Sequence, residues 1–151
     1  MIEAKDLRIG DIVRMTDDNG NMVPCKVVGV DMEMCHNSKT RGFLQGAAHL
    51  RPFDLPNDEP PYARWCEDIF AIPLSLEILE KNGWKKCARI GYGEYRYTKN
   101  DIFLEYFQKE KHFVYQDMWE STSYVCINYI HQLQHILWAL GVDAEMEVSH
   151  E

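Results

Sequence analysis

The stretch from Tyr124 to Gly141, Tyr-Val-Cys-Ile-Asn-Tyr-Ile-His-Gln-Leu-Gln-His-Ile-Leu-Trp-Ala-Leu-Gly, constrains the fold more than any other part of the chain. Ile130, Leu133, Leu137 and Leu140 recur at helical spacing and draw one apolar stripe. The spacing predicts a helix over 128–140, with Asn128 capping its start and Gly141 taking the left-handed conformation that ends it. Tyr129, Ile136, Trp138 and Ala139 widen the apolar surface, so the helix is expected to pack on more than one side. Little else in the chain reads as helical, and the surface this helix covers is expected to be a sheet.

A chain of 151 residues suits one domain or two small units. Its 46% hydrophobic content is enough for a core, and its net charge of −8 opposes unspecific adhesion to nucleic acid or an anionic membrane. No apolar run reaches the length of about 18 residues that a membrane span needs. The start, Met-Ile-Glu-Ala-Lys-Asp-Leu-Arg, lacks the apolar core of a signal peptide, so the expected location is the cytoplasm. The five cysteines, Cys25, Cys35, Cys66, Cys87 and Cys126, are scattered without a Cys-x-x-Cys and read as reduced thiols.

Residues 1–55 read as a small all-β unit. Leu7-Arg-Ile-Gly-Asp11 is a tight turn, Ile12 to Met15 a strand, and Asn19-Gly20 a type I′ hairpin signal. Met22 to Val30 returns as a second strand in which Pro24 marks an edge or a bulge. Asp31 to Cys35, Phe43 to Gln45 and Ala48 to Pro52 complete five short strands, separated by a polar turn at 36–42. The expected architecture is an SH3-like barrel or a meander. Residues 56–68, rich in proline and acids, read as a linker that disfavours helix and ladder alike. Residues 69–141 read as an α+β unit. Ser75 caps a short helix that ends at Gly83, and an antiparallel meander follows. Its turns fall at Gly91–Gly93, Lys99–Asp101 and Gln108–Glu110, a loop spans 117–123, Tyr124 to Ile127 reads as a last short strand, and the last helix closes the unit. Residues 142–151 read as a frayed acidic tail. The fold class is therefore α+β, an N-terminal β unit followed by an antiparallel sheet flanked by a short and a C-terminal helix.

Three pieces carry a resemblance: Leu7-Arg-Ile-Gly-Asp11, Ile72-Pro-Leu-Ser75 before the helix ending in Gly83-Trp84, and Tyr129-Ile-His-Gln-Leu-Gln134 with Ala139-Leu-Gly141. Together they resemble small uncharacterised proteins of gut bacteria, their phages and mobile elements. That resemblance implies a bacterial or phage origin, a cytoplasmic protein and no known cofactor, and it brings no activity. Members more often carry an aromatic after the Gln-Leu-Gln, so His135 and the long Pro-rich segment are this chain's own.

Two constellations could carry chemistry. His131 and His135 stand four apart on the last helix, so both imidazoles can face one metal ion, with Cys126, Glu145 or His150 as further ligands. Their alternative role is hydrogen bonding within the fold. In the meander, Lys85, Lys86, Arg89, Arg96 and Lys99 alternate with Trp84, Tyr92, Tyr95 and Tyr97, a pattern that can stack single-stranded bases and hold phosphates. Its alternative is an ordinary half-buried meander, aromatics inward and cations outward, which the acidic net charge favours. A second basic group is His36, Lys39, Arg41, His49 and Arg51. Gly91-Tyr-Gly93 lacks the Lys-Ser/Thr end of a phosphate loop and reads as a turn. The acid pairs Asp17-Asp18, Asp58-Glu59 and Glu67-Asp68 read as solvation, and adjacent Cys35 and His36 point to opposite sides of a strand. The leading expectation is a non-enzymatic, cofactor-free binding protein that meets a protein partner or itself through the C-terminal helix. Nucleic-acid binding and metal-dependent hydrolysis are the rivals.

Overall fold

A computed structural model describes residues 1–36, 44–87, 95–116 and 124–148. The chain divides into two compact units, residues 1–72 and 73–148. Both are built on five-stranded antiparallel sheets, and the class is α+β.

The first unit contains β1 (Ile12–Thr16), β2 (Met22–His36), β3 (Leu44–Pro52), β4 (Tyr62–Trp65) and β5 (Ile69–Ala71), in the order β4-β3-β2-β1-β5. The hairpin between β1 and β2 lies where Asn19-Gly20 places it, but the turn is not type I′. Gly20 alone has positive φ (87°), Gly20 N–H donates to Asp17 O and Asp17 N–H to Asn21 O. This is a type I turn closed by a glycine bulge. The Asp17 carboxylate selects it by accepting from the Asn19 and Asn21 amides at 2.9 and 2.7 Å, which keeps Asn19 right-handed. Those bonds also hold the Asp17 pKa below its ordinary value. Pro24 pairs with Arg14 on one side, and the ladder to β3 begins only at Cys25, so its missing N–H interrupts nothing.

Several sequence expectations are corrected here; the strands expected at 43–45 and 48–52, for one, are a single strand, Leu44–Pro52. Met22–Val30 and Asp31–Cys35 are one strand, because register shifts between Val27 and Gly29 and between Asp31 and Cys35 carry it onward without a turn. The segment expected to be a linker supplies β4, which pairs with β3 from Tyr62↔Leu50 to Trp65↔Ala47, then a 3-10 turn, Cys66–Asp68. Ile69–Ala71, expected in the second unit, pairs with β1. The prolines confine irregular backbone to residues 53–61, where the Arg51 guanidinium binds Pro56 O and Glu59 O at 3.0 and 2.9 Å.

Alternation places Val13, Met15, Cys25, Val27, Ala48, Leu50, Cys66 and Ile69 in one core, joined by Ile2 and Leu7 from either side of a 3-10 turn, Ala4–Asp6. Within Leu7-Arg-Ile-Gly-Asp11, the buried Asp11 carboxylate accepts from Arg8 N–H at 2.8 Å, and Gly10 (φ 101°) donates to Val27 O. The Cys25 thiol is wholly buried with Val13 O 3.6 Å away, and burial pushes its pKa up to about 12.

The second unit contains α1 (Leu76–Lys81), β6 (Lys85–Cys87), β7 (Tyr95–Lys99), β8 (Ile102–Phe107), β9 (His112–Gln116), β10 (Tyr124–Ile127) and α2 (Ile130–Ala139). The sheet order β10-β9-β8-β7-β6 is a meander. Ser75 Oγ accepts from Ile78 N–H, and Gly83 (φ 81°) lets Trp84 N–H reach Leu79 O, so α1 starts and stops on its own local signals. Asn100 and Asp101 both have positive φ, the type I′ geometry of a two-residue hairpin. The helix α2 starts one position later than Asn128 capping predicts. Asn128 O accepts from Leu74 N–H and Tyr129 bridges Pro73, which holds both residues extended. Gln132 Oε1 reaches back to the Asn128 and Tyr129 amides, the returning half of a capping box. Gly141 (φ 69°) ends α2 as expected.

Residues 142–148 are not a frayed tail. Ala144 and Met146 are buried, and side chains of α1 and α2 hold the segment's main chain. The turn at Gly91–Gly93, the loop at 117–123 and the polar turn at 37–42 lie outside the described residues.

Candidate functional site

On α2, His131 and His135 do share a face. Their ring centroids are 5.8 Å apart and the planes meet at 74°. They form the middle of a ladder of rings, with Tyr129 stacked on His131 at 5.9 Å and Trp138 on His135 at 5.7 Å. His131 is 6% exposed, so the ladder dips from the exposed Tyr129 into the interior at His131 and returns to the half-buried His135 and Trp138. A transition-metal site needs three or four ligands around one ion. Among the described residues no group of three or more His, Cys, Asp or Glu gathers in that way. Cys126 is exposed on β10 and Glu145 is exposed, while His150 lies outside the described residues.

The meander residues have separate jobs. Cross-strand pairing puts Lys86, Tyr97, Leu104 and Tyr115 in one row and Cys87, Arg96, Glu105, Val114 and Cys126 in a row on the opposite face. Trp84 and Tyr97, which a stacking platform needs on the surface, are 3% and 2% exposed. The Tyr97 hydroxyl donates to Glu80 Oε1 at 3.1 Å; burial, that bond and the Glu80 charge push its pKa up to about 12. Lys99 Nζ donates to Asn82 O at 2.8 Å. Arg96 forms an ion pair with Glu105 at 2.6 Å and lies over the Phe103 ring. Lys85 and Lys86 are exposed, and Lys86 Nζ sits 3.7 Å from the centre of the half-buried Tyr95 ring, a cation–π contact. Arg89 and Tyr92 lie outside the described residues, as do Lys39 and Arg41 of the second basic group. The guanidinium of Arg51 is engaged by the Pro-rich loop.

The paired acids are equally dispersed. Asp17 organises the first hairpin and Asp18 pairs with Arg64 at 3.0 Å. Asp58 and Glu59 are exposed, and Glu67 and Asp68 belong to the 3-10 turn after β4. The buried thiols are poor nucleophiles, since burial raises the pKa of both Cys25 and Cys66.

These titrations predict alkaline sensitivity. Cys25 and Tyr97 keep their protons in the fold up to about pH 12, against ordinary values of 9.0 and 10.0. Between those limits the unfolded chain binds fewer protons than the native one. Each group therefore takes away about 1.4 kcal/mol of stability for every pH unit crossed, as pH rises. Urea unfolding between pH 8 and 11 is expected to show this fall, and Cys25→Ala is expected to remove the part that begins near pH 9 while leaving the Tyr97 part above pH 10; a flat wild-type profile would refute the assignment.

The strand expected at Tyr124–Ile127 is found there, but that it forms an exposed sheet edge is not legible in the sequence. Among the described residues β10 is the outer strand of the second sheet, paired with β9 on one side. Tyr124 and Val125 are 68% and 50% exposed, Cys126 is exposed, and Tyr129 is 38% exposed two residues beyond the strand. The available signal was four consecutive uncharged, strand-forming residues before the helix. Among the described residues, no helix is long and apolar enough to cross a membrane. Comparison of the chain with protein-family models, curated proteins and solved structures yields no match, so the reading of its function stands on this geometry alone.

Proposed function

We propose that the chain is a non-enzymatic, cytoplasmic accessory protein acting through protein–protein contacts, the first of them with a second copy along β10. The carrying observation is how differently the sheet edges are dressed. The opposite edge of the same sheet, β6, carries Lys85 and Lys86, and in the first unit β4 carries Arg64. β5 at the other edge is only three residues long. Charges and short length are how proteins blunt an open edge. β10 is short too, at four residues, but it carries no charge, and Tyr124, Val125 and Cys126 are exposed while Ile127 is buried. In a chain of net charge −8, copies repel except where a surface carries no charge of its own. An edge strand paired antiparallel with its own twofold mate makes a self-complementary contact of main-chain bonds, with Tyr124 and Val125 covered on both sides.

The first unit is read as SH3-like, supported by its strand order and the 3-10 turn between the last two strands. The likeness to proteins of gut bacteria and their phages rests on sequence. Single-strand nucleic-acid binding keeps Lys85, Lys86 and Tyr95 in its favour, and metal-assisted hydrolysis keeps the His131–His135 pair.

The test is mass by light scattering during gel filtration over a range of loading concentrations. The wild type is expected to dimerise as concentration rises. Val125→Lys, which places like charges opposite each other across the twofold, is expected to stay monomeric with its fold intact. A wild type that remains monomeric at every concentration sinks the proposal.

A further inference from the structure

The segment after α2 behaves as a bound ligand does. Ala144 and Met146 are only 2% and 5% exposed, while Asp143, Glu145 and Glu147 are exposed, the two-residue alternation of an extended chain with one side covered. Yet no residue of 142–148 belongs to either sheet. Its main chain is read by side-chain amides instead. Asn82, which caps the end of α1, accepts from Glu147 N–H through Oδ1 at 2.7 Å and donates to Glu147 O through Nδ2 at 2.9 Å. One amide thus serves both groups of one residue, as a neighbouring strand would. Asn82 is itself fixed, because Nδ2 also donates to Ile78 O at 2.8 Å. Gln134, on α2 and 1% exposed, donates to Ala144 O at 3.1 Å. The segment leaves α2 through Gly141, whose positive φ makes a natural hinge.

Main-chain capture combined with burial of alternate side chains, as at Ala144 and Met146, is the logic by which proteins recognise extended peptides without fixing every residue. We propose that the groove between α1 and α2 is a recognition site for an extended protein segment carrying a small residue and a methionine two positions apart. The chain's own residues 142–148 are its built-in occupant and competitor. This rests on the reading of the chain as a protein-binding protein, but on a different surface from β10. An external segment enters only when the resident one swings out at Gly141, so the resident segment sets the threshold for binding.

The test uses the full chain carrying Ala144→Asp with Met146→Asp, which puts two charges where the groove holds apolar side chains and so ejects the resident segment. The probe is a fluorescent peptide with the sequence of residues 141–148. Saturable binding is expected to the ejected variant, and binding at least about tenfold weaker to the wild type, whose tethered segment competes at high effective concentration. Adding Asn82→Ala to the ejected variant is expected to weaken binding about fivefold or more, one main-chain clamp being lost. No saturable binding to a variant that still melts cooperatively overturns the proposal, as does equal binding to wild type and variant.

If the double variant does not fold, hydrogen exchange on the wild type decides. The Glu147 amide is expected to exchange through a local opening, well ahead of the β8 amides. Exchange of both only on global unfolding means that the segment is an inseparable part of the core, and the groove proposal fails. A chain that dimerises through β10 while the peptide finds no site would sink the groove alone.

Discussion

Arg96→Met is expected to lower the stability of the second unit by roughly 2–4 kcal/mol, whereas Arg96→Met combined with Glu105→Leu is expected to return most of that loss. The two residues face each other directly across β7 and β8, and their charged atoms are 2.6 Å apart. Glu105 is only 8% exposed, with Val114 and Cys87 in the same cross-strand row and the Phe103 ring beneath the guanidinium. Removing the cation alone deprives a poorly hydrated carboxylate of the Arg96 charge that offsets most directly the cost of its desolvation. Removing both charges replaces the pair by apolar side chains on a sheet face that is already largely apolar. Because the Arg96 side chain keeps 20% of its exposure, the cost is set below that of a fully dry pair. Denaturant unfolding of the two single variants and the double measures the coupling. If Arg96→Met costs no more than about 0.5 kcal/mol, as an ordinary surface change does, the pair is a surface decoration and Arg96 is again available to hold phosphates.

The elements that were legible in the sequence are those whose signals lie within a few residues. Ser75, Leu74, Leu79 and Gly83 specify α1 by a cap, two buried apolar residues and a left-handed stop, and the structure uses each of them. Gly141 ends α2 for the same reason. What failed was decided at a distance. Tyr62–Trp65 forms a strand only because β3 presents an edge to it, and reading the proline content of 56–68 as one block hid that. Asn128 has the chemistry of a cap, but its carbonyl is taken by Leu74, which keeps that turn extended. Residues 142–148 look like an acidic tail because their partners, Asn82 and Gln134, are elsewhere in the sequence.

The candidate sites show the same division. Alternation correctly put Tyr95 and Tyr97 on one face and Arg96 on the other, since period two is a property of the strand itself. It could not say which face is covered. Tyr97 turns inward because Glu80 and Asn82 of the α1 region sit over its end of the sheet, taking its hydroxyl and the Lys99 ammonium. The histidine pair was legible as a shared helix face, but the rings of Tyr129 and Trp138 that complete the ladder engage the imidazoles by stacking.

Gly46→Ala, a change of one methyl group, is expected to destabilise the first unit by roughly 1–3 kcal/mol, and Gly46→Val by more. A Cβ at Gly46 would stand 2.3 Å from Ala4 Cβ and 3.2 Å from Asp31 O. Ala4 Cβ is fixed to the backbone, so no side-chain rotation relieves the clash; the 3-10 turn Ala4–Asp6 has to move off β3. That turn separates Ile2 from Leu7, each 6% exposed in the core, so displacing it withdraws apolar surface from both. The clash also specifies its own rescue. Ala4→Gly alone is expected to cost about 0.5–1 kcal/mol through the added freedom of the unfolded chain. In that background the Ala4 methyl is gone and only the 3.2 Å approach to Asp31 O stays tight, so Gly46→Ala is expected to cost clearly less than in the wild type. Chemical unfolding of the two single variants and the double should therefore show a favourable coupling of more than about 1 kcal/mol, since the two methyl groups contest one position. Costs that simply add would mean that β3 and the N-terminal turn are not in contact in solution, and that Ile2 and Leu7 reach the core by another route.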